Sequence, residues 1–308
     1  MTNVLVLGGS GMLGSMVVDV LARAPELTVT ATVRHAALAD RFQTLYPNVR
    51  WALFDGRNLD RDRAVFDRQA WIVNAIGITK PLIHDDNPAE IETAIAINSI
   101  LPQRVGQCAA DRGATVLQIA TDCVYSGTKG GYVETDAHDA LDAYGKTKSL
   151  GETFIPSVRH LRCSIVGPEP KDFKFLVEWF LRQPRGARVS GFVNHRWNGV
   201  TTLHFARLCL GAIRHRIELP HLQHLVPSGC ATKAEMLRQF ARAFGRGDIA
   251  IDDVEAKTVV DRTLSTRDVS LNAALWSAAG YQQPPTVGEM IAELARHEYR
   301  AQGRGAAA

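Results

Sequence analysis

The apolar residues of this 308-residue chain form short continuous runs in its first half, and each run is followed by a stretch with helical spacing. A strand covered on both faces of a parallel sheet has this continuous apolar character. The runs predict strands at residues 4–7, 27–33, 49–54, 71–77, 115–120 and 160–167. The stretches between them predict helices at 15–22, 36–46, 89–110 and from 143 onward. This alternation predicts an α/β fold with a Rossmann-type, doubly wound parallel sheet.

The alternation stops after residue 167. Helical spacing recurs at 173–182, 202–215, 233–244 and 286–300, with one late strand at 222–226. We therefore predict a first domain over 1–167 and a smaller C-terminal substrate-binding lobe mainly over 168–301, with about 200–229 returning to the first domain. The tail 302–308 is predicted to be disordered, because it contains only glutamine, glycine, arginine and alanine. Pro102 predicts a kink in the helix 89–110.

The first apolar run leads directly into a glycine-rich turn. Its glycines fit both Gly9-x-Gly11-x-x-Gly14 and Gly8-x-x-Gly11-x-x-Gly14. In a turn between a strand and a helix, such glycines allow a pyrophosphate to approach the backbone amides at the start of the helix. The sequence therefore predicts a dinucleotide site in the first domain. The residues predicted to contact the cofactor at this turn are Gly8, Ser10, Gly11, Met12, Leu13 and Gly14.

The end of the second predicted strand indicates which dinucleotide binds. A site for NAD usually has an acidic residue about twenty positions after the glycines, bonded to the ribose. This chain has Arg34 there, and a guanidinium instead suits the 2′-phosphate of NADP. We therefore expect NADP(H) in preference to NAD(H). Further cofactor contacts are predicted at later strand ends: Asp55, Gly56, Ala75, Ile76, Gly77 and Ile165.

Composition narrows the class of protein further. The formal net charge of +3 is too small to indicate a nucleic-acid partner, and the apolar runs are too short for a membrane span. Five dispersed cysteines predict free thiols and a cytoplasmic location rather than a disulfide framework. The histidines show no metal-ligand spacing, so we expect no metal.

Three residues supply candidate chemistry. Thr121 follows the fifth predicted strand, where ligands of open α/β sheets bind. Tyr144 and Lys148 are four residues apart and so share one face of a helix. Together with the glycine turn, they resemble the short-chain dehydrogenase/reductase superfamily. Within its extended branch, the chain is most similar to the dTDP-4-dehydrorhamnose reductase group, through Thr121 to Gly127, Tyr144 to Glu152 and Asp261 to Ser265.

The resemblance implies an NADPH-dependent reductase of the C4 keto group of a nucleotide-activated 4-keto-6-deoxy sugar. Tyr144 would protonate the keto oxygen, Lys148 would supply a positive charge and hold the nicotinamide ribose, and Thr121 would bond the same oxygen. Tyr144 and Lys148 are therefore also expected to contact the cofactor. A nucleotide-diphosphate sugar is the expected partner, and a homodimer is left open. The candidate substrate contacts are Lys80, Asp122, Cys123, Trp179, Arg196, Asn198 and Arg262.

Two departures and three alternatives accompany this hypothesis. Cys123 occupies a position where the group commonly has tyrosine, and Val200-Thr201-Thr202 only partly matches the group's segment after the substrate loop. The related dehydratases need a second acid at position 123, so a thiol there disfavours water elimination. A 4-epimerase uses the same three residues; Arg34 speaks against it, because epimerases usually hold NAD. A non-catalytic NADP-binding protein would be free to lose Thr121, Tyr144 and Lys148.

Overall fold

The computed structural model describes residues 1–301. Its strands are β1 Thr2–Leu7, β2 Leu27–Val33, β3 Arg50–Leu53, β4 Trp71–Asn74, β5 Thr115–Ala120, β6 Val158–Arg162, β7 Ile165–Val166, β8 Arg188–Phe192, β9 His195–Trp197, β10 Val200–Thr201, β11 Leu222–His224, β12 Ala231–Thr232, β13 Ala250–Val254 and β14 Val260–Asp261. Its α-helices are α1 Met12–Leu21, α2 Ala36–Leu45, α3 Pro88–Ala94, α4 Leu101–Ala110, α5 Ala143–Leu150, α6 Leu176–Leu181, α7 Thr202–His215, α8 Lys233–Ala243, α9 Val269–Ala278 and α10 Val287–Arg296.

Seven of these strands form one parallel sheet in the order β11-β6-β5-β4-β1-β2-β3. The predicted Rossmann-type α/β fold is confirmed. Residues 4–7 of the central strand β1 are fully buried. Val4 and Val6 belong to one hydrophobic core and Leu5 and Leu7 to another. The two cores lie on opposite faces of the sheet, because successive strand residues point to opposite faces, and this explains the unbroken apolar run.

The long helix predicted over 89–110 is interrupted on the N-terminal side of Pro102. Residues Ile95–Ile100 form a π-helical turn between α3 and α4. Pro102 has no amide hydrogen, and its ring would clash with the carbonyl of Asn98, so a regular helix cannot continue there. The turn brings Asn98 against α5, because a Cβ on Gly151 would lie 1.9 Å from the Asn98 carbonyl oxygen. The irregular turn thus sets how closely α5 approaches.

The second half differs more from the prediction. The strand predicted at 160–167 is divided between two strands, since β6 ends at Arg162 and the short strand β7 pairs with β10. The predicted helices 173–182 and 286–300 are shorter, as α6 and α10, and α9 was not predicted. Small sheets join β8 to β13, and β9 to β12 and β14. The tail 302–308 lies outside the described residues.

The segment between these small sheets returns to the main one. Strand β11 extends the seven-stranded sheet by pairing with β6, and α7 packs against α1. The division into a domain over 1–167 and a lobe over 168–301 stays a prediction. Among residues 1–301, no helix has the length and apolar character that a membrane span requires.

Candidate active site

The glycine turn joins β1 to α1 so tightly that side chains are excluded at two positions. Gly8 has φ +81°, in the left-handed region, and a Cβ there would lie 2.9 Å from the Ile76 side chain. A Cβ on Gly14 would lie 2.2 Å from the Gly8 carbonyl oxygen. The Gly11 amide donates to that same oxygen at 3.0 Å. The turn therefore needs glycine for backbone packing at positions 8 and 14.

The start of α1, which follows the turn, has the features of an anion-binding site. Gly11 is its N-cap and has no side chain to cap the first amides, and the first turn has no acidic residue. The first amides of a helix have no intrahelical acceptor, and the helix dipole adds partial positive charge there. These features fit a phosphate group at the start of α1.

Two adjoining cavities lie along the carboxyl ends of the central strands. The β3-side cavity has a volume of about 430 Å³ and lies beside the ends of β2 and β3. The α5-side cavity has a volume of about 490 Å³ and lies between the end of β5, α5 and the segment before α6. The residues that line both cavities are Gly11, Arg34, Ala75, Gly77, Ile78, Leu82 and Lys171. The two cavities thus form one cleft.

The structure brings nearly all of the predicted cofactor residues to this cleft. Gly14 is the exception, because it packs beneath the turn. The β3-side cavity is lined by Gly8, Ser10, Gly11, Arg34, Asp55, Gly56, Ala75, Ile76 and Gly77. The α5-side cavity is lined by Gly11, Met12, Leu13, Arg34, Ala75, Gly77, Tyr144, Lys148 and Ile165.

Arg34 is exposed at the end of β2, and it has no side-chain hydrogen bond or ion pair within residues 1–301. Asp55 instead caps the short helical turn that follows it and pairs with Arg57 at 3.1 Å. That pairing is the largest cause of the lowered pKa of Asp55, and Arg34 contributes. Arg57 also lines the β3-side cavity and was missed in the sequence, where it reads as an ordinary turn residue.

Thr121 and Tyr144 both line the α5-side cavity. The Thr121 hydroxyl accepts a hydrogen bond from the Cys123 amide at 3.1 Å, which fixes the turn after β5. Burial raises the pKa of Tyr144, and the Thr121 hydroxyl partly opposes this rise. The phenol therefore carries its proton at neutral pH. A proton donor and a hydroxyl that can orient its acceptor stand together on one wall.

Lys148 lies one helical turn after Tyr144 and is only 9% exposed. Its Nζ donates a long hydrogen bond of 3.5 Å to the Ile119 carbonyl oxygen. Burial lowers the pKa of Lys148 to about 8, and the nearby Glu152 carboxylate opposes the fall. The ammonium is therefore mostly charged at pH 7 and close to its titration range.

The turn after β5, residues 121–126 (the catalytic turn), also contains two residues that were predicted to contact substrate. Burial raises the pKa of Cys123 to about 12, so its thiol is neutral at physiological pH. Asp122 is 7% exposed, and burial raises the pKa of its carboxyl. Arg262 and Lys233 oppose that rise. Both cations come from the second half of the chain.

Lys233 was missed in the sequence. It is the first residue of α8, and its Nζ lies 5.8 Å from the centre of the Trp197 ring. Burial lowers its pKa, while Asp122 raises it. In the sequence Lys233 is one lysine in an amphipathic helix, and only the fold of the second half brings it near the catalytic turn.

The other predicted substrate residues have varied surroundings. Lys80 lines the α5-side cavity but pairs with Asp142, the N-cap of α5, at 2.7 Å. Arg262 donates to the carbonyl oxygens of Tyr125 and Ser126 at 2.8 and 3.2 Å, and so holds the catalytic turn. These two side chains connect the cleft to its supporting loops.

Arg262 lines neither cavity, and the same holds for three further residues. Asn198 is buried, and its side chain bonds both the amide and the carbonyl of Leu264. Arg196 is exposed, with its guanidinium 2.9 Å from the Cys230 sulfur. Trp179 lies on α6 and is 41% exposed. Their predicted substrate contacts stay predictions. No group of three or more His, Cys, Asp or Glu side chains in residues 1–301 is arranged to hold a metal ion.

The parallel sheet and the cleft with Thr121, Tyr144 and Lys148 define a protein of the extended short-chain dehydrogenase/reductase class. Within that class, the chain belongs to the RmlD substrate binding domain family, whose profile matches residues 1–299. The predicted resemblance is confirmed.

Curated relatives and solved structures agree with this assignment. The dTDP-4-dehydrorhamnose reductase of Salmonella typhimurium is 29% identical over an alignment of 178 residues. The match covers 52% of this chain and 55% of that protein. That of Aggregatibacter actinomycetemcomitans is 28% identical over 209 residues, or 65% and 63%. The chain thus spans a little over half the length of the curated relatives it matches.

Two solved structures share the fold. The dTDP-4-dehydrorhamnose reductase of Bacillus anthracis, in complex with NADP, superposes with a TM-score of 0.73 at 19% identity, covering 96% of this chain and 98% of that one. The UDP-glucuronic acid 4-epimerase of Bacillus cereus, in complex with NAD, also gives a TM-score of 0.73, at 15% identity over 100% and 99%. At these identities the likeness concerns the fold alone.

Proposed function

We propose that this protein is an NADPH-dependent reductase of the C4 keto group of a nucleotide-activated 4-keto-6-deoxy sugar. The observation that carries the proposal is the single cleft in which Thr121, Tyr144 and Lys148 line one cavity and the glycine turn borders the other. Family membership supports the same reaction class. We also place the protein in the cytoplasm, where its five free cysteines would stay reduced.

The cleft fits a dinucleotide by its shape and by its donors. The uncapped amides at the start of α1 would hold the pyrophosphate, and Arg34 would hold the 2′-phosphate. Asp55 and Gly56 border the space for the adenosine, and Lys148 and Ile165 border the space for the nicotinamide end. When bound, NADPH supplies the hydride that reduces the carbonyl carbon.

Residues of the protein donate the proton that the reduction requires. The Tyr144 phenol, protonated at neutral pH, donates its proton to the keto oxygen as the C4 carbon gains its hydrogen, and the product is the alcohol. The charged Lys148 stabilises the phenolate that forms, because an adjacent cation lowers its energy. Thr121 orients the oxygen with its hydroxyl. Cys123, with its pKa near 12, is too weakly acidic to provide the base that a dehydratase needs.

The test is NADPH oxidation at 340 nm with dTDP-, UDP- and GDP-linked 4-keto-6-deoxy sugars, with product stereochemistry read by NMR. Tyr144→Phe should lower kcat by orders of magnitude and leave the Kd for NADPH nearly unchanged, because the phenol acts only on the proton. Tyr281→Phe, on a tyrosine that lines neither cavity, is the matched control. Full activity of Tyr144→Phe contradicts the mechanism. Silence across the sugars, with NADPH bound, would instead support a 4-epimerase or a non-catalytic binding protein.

The preference for NADPH over NADH is tested by measuring the binding of each cofactor. Arg34→Ala should weaken NADPH by about tenfold and leave NADH nearly unchanged, because only NADPH has the 2′-phosphate. Isothermal titration of both cofactors gives the ratio directly. An unchanged ratio would refute the role given to Arg34.

A further inference from the structure

One unpaired cation of the second half of the chain borders both parts of the cleft. Lys171 lies between β7 and α6 and lines both cavities. We propose that Lys171 binds the pyrophosphate of the dinucleotide and closes the cofactor site from the second half of the chain. This inference rests on the proposed dinucleotide, but not on the identity of the sugar.

The position of Lys171 is what makes pyrophosphate the ligand. A dinucleotide that occupies both cavities has its two halves joined by the pyrophosphate, which must therefore lie where the cavities meet. Gly11 and Lys171 both line that junction. Gly11 presents the uncapped start of α1, so the junction is lined by backbone amides and by an ammonium. Two donors of this kind suit a group with two negative charges.

Two of the other cations in the cleft already have carboxylate partners. Arg57 pairs with Asp55 at 3.1 Å and Lys80 with Asp142 at 2.7 Å. Within residues 1–301, the Lys171 ammonium has neither a hydrogen bond nor a carboxylate within 4 Å, although its side chain is partly buried. Its charge is therefore available to a ligand.

The segment that carries Lys171 is held in an unusual shape. Asp172 and Phe173 both have positive φ, +67° and +50°. Such angles are uncommon outside glycine, and they persist only where surrounding contacts enforce them. Here the buried Glu169 carboxylate accepts the Phe175 amide at 2.6 Å. The Arg182 guanidinium lies 3.6 Å from the centre of the Phe173 ring. These contacts fix the segment on both sides of Lys171, so its ammonium is presented to the cleft before any ligand arrives.

The test separates the two phosphate groups of NADPH. ADP contains a pyrophosphate without a 2′-phosphate, and adenosine 2′-monophosphate contains the reverse. Isothermal titration should show that Lys171→Met weakens NADPH and ADP by about tenfold each and leaves adenosine 2′-monophosphate unchanged. Arg34→Ala should weaken adenosine 2′-monophosphate and leave ADP nearly unchanged. Lys171→Arg should retain most of the ADP affinity, because it keeps the charge.

Lys174→Met is the matched control, because Lys174 belongs to the same segment but lines only the α5-side cavity. It should leave ADP binding within about twofold of the wild type. Unchanged ADP affinity in Lys171→Met overturns the proposal, and so does an equal loss in Lys174→Met or a loss confined to adenosine 2′-monophosphate. Failure of the wild type to bind either NADPH or ADP would overturn the dinucleotide assignment as well. Silence in the sugar assay leaves the binding result intact.

Discussion

Replacing Lys148 with methionine should make the protein more stable and much less active. The lysine is 9% exposed, and burial lowers its pKa from the usual 10.5 to about 8. One pKa unit corresponds to about 1.4 kcal/mol. Holding the charged ammonium in the fold at pH 7 therefore costs about 3 kcal/mol, and Lys148→Met removes that cost while keeping the apolar stem. The Ile119 carbonyl stays satisfied, because Gln118 donates to it at 3.1 Å.

The stability difference between Lys148→Met and the wild type should depend on pH. The unfolded lysine keeps its proton up to about pH 10.5, whereas the folded one loses it near pH 8. Between these values the unfolded state binds more protons, so the contribution of Lys148 to stability rises with pH. The stability advantage of Lys148→Met should therefore be largest at pH 7, shrink through pH 8 to 10 and largely disappear by pH 10.5.

Urea unfolding at pH 7, 8.5 and 10, followed by tryptophan fluorescence, measures this difference directly. Lys146→Met is the control, because Lys146 is an exposed lysine on the same helix and should change stability by less than about 0.5 kcal/mol at each pH. A Lys148→Met protein that is less stable than the wild type at pH 7 would refute the reasoning. So would an advantage that stays constant with pH, since the effect would then be unrelated to the ammonium.

Three further substitutions test how the cleft is built. Gly14→Ala should raise the Kd for NADPH by at least about tenfold, because its Cβ would lie 2.2 Å from a backbone oxygen of the turn. Titration with NADPH measures this Kd, and Gly247→Ala, whose Cβ would lie in open space, is the control. Gly151→Ala should lower kcat more than it changes the Kd for NADPH, since its Cβ would displace α5 from the π-helical turn, as stopped-flow and equilibrium binding would show. Asn198→Ala should lower the free energy of unfolding by about 1 to 3 kcal/mol in urea titrations, because both its side-chain hydrogen bonds to the Leu264 backbone are lost.

The first half of the fold could be predicted because its signals are local. Strands β1, β2, β4 and β5 of the main sheet are visible as apolar runs, since both faces of the sheet are covered there. The small strands of the second half give no such signal. Strand β8 pairs with β13 about 60 residues later, and each has five residues or fewer. Helix α9 was missed because its apolar residues are spread around the helix.

The site shows the same contrast. Tyr144 and Lys148 could be predicted because helical spacing alone places them on one face. Arg262 was predicted to contact substrate, which stays a prediction; in the structure it bonds the backbone carbonyls of the catalytic turn. Lys171 and Lys233 were not predicted, because only long-range packing brings them to the cleft and its turn. Local sequence therefore indicates the chemical groups, and tertiary structure decides which cations surround them.

In the proposed mechanism, the residues that move the proton and the cations beside the catalytic turn come from different halves of the chain. The proton donor and its lysine lie on α5, whose position is set by the π-helical turn and by Asn98, which bonds Ile78 and Thr147. All of these residues belong to the first half of the chain. The cations nearest the catalytic turn from the other side, Arg262 and Lys233, come from the second half. In the proposed reductase, substitutions in the second half should therefore change sugar selectivity while Tyr144 and Lys148 keep their positions.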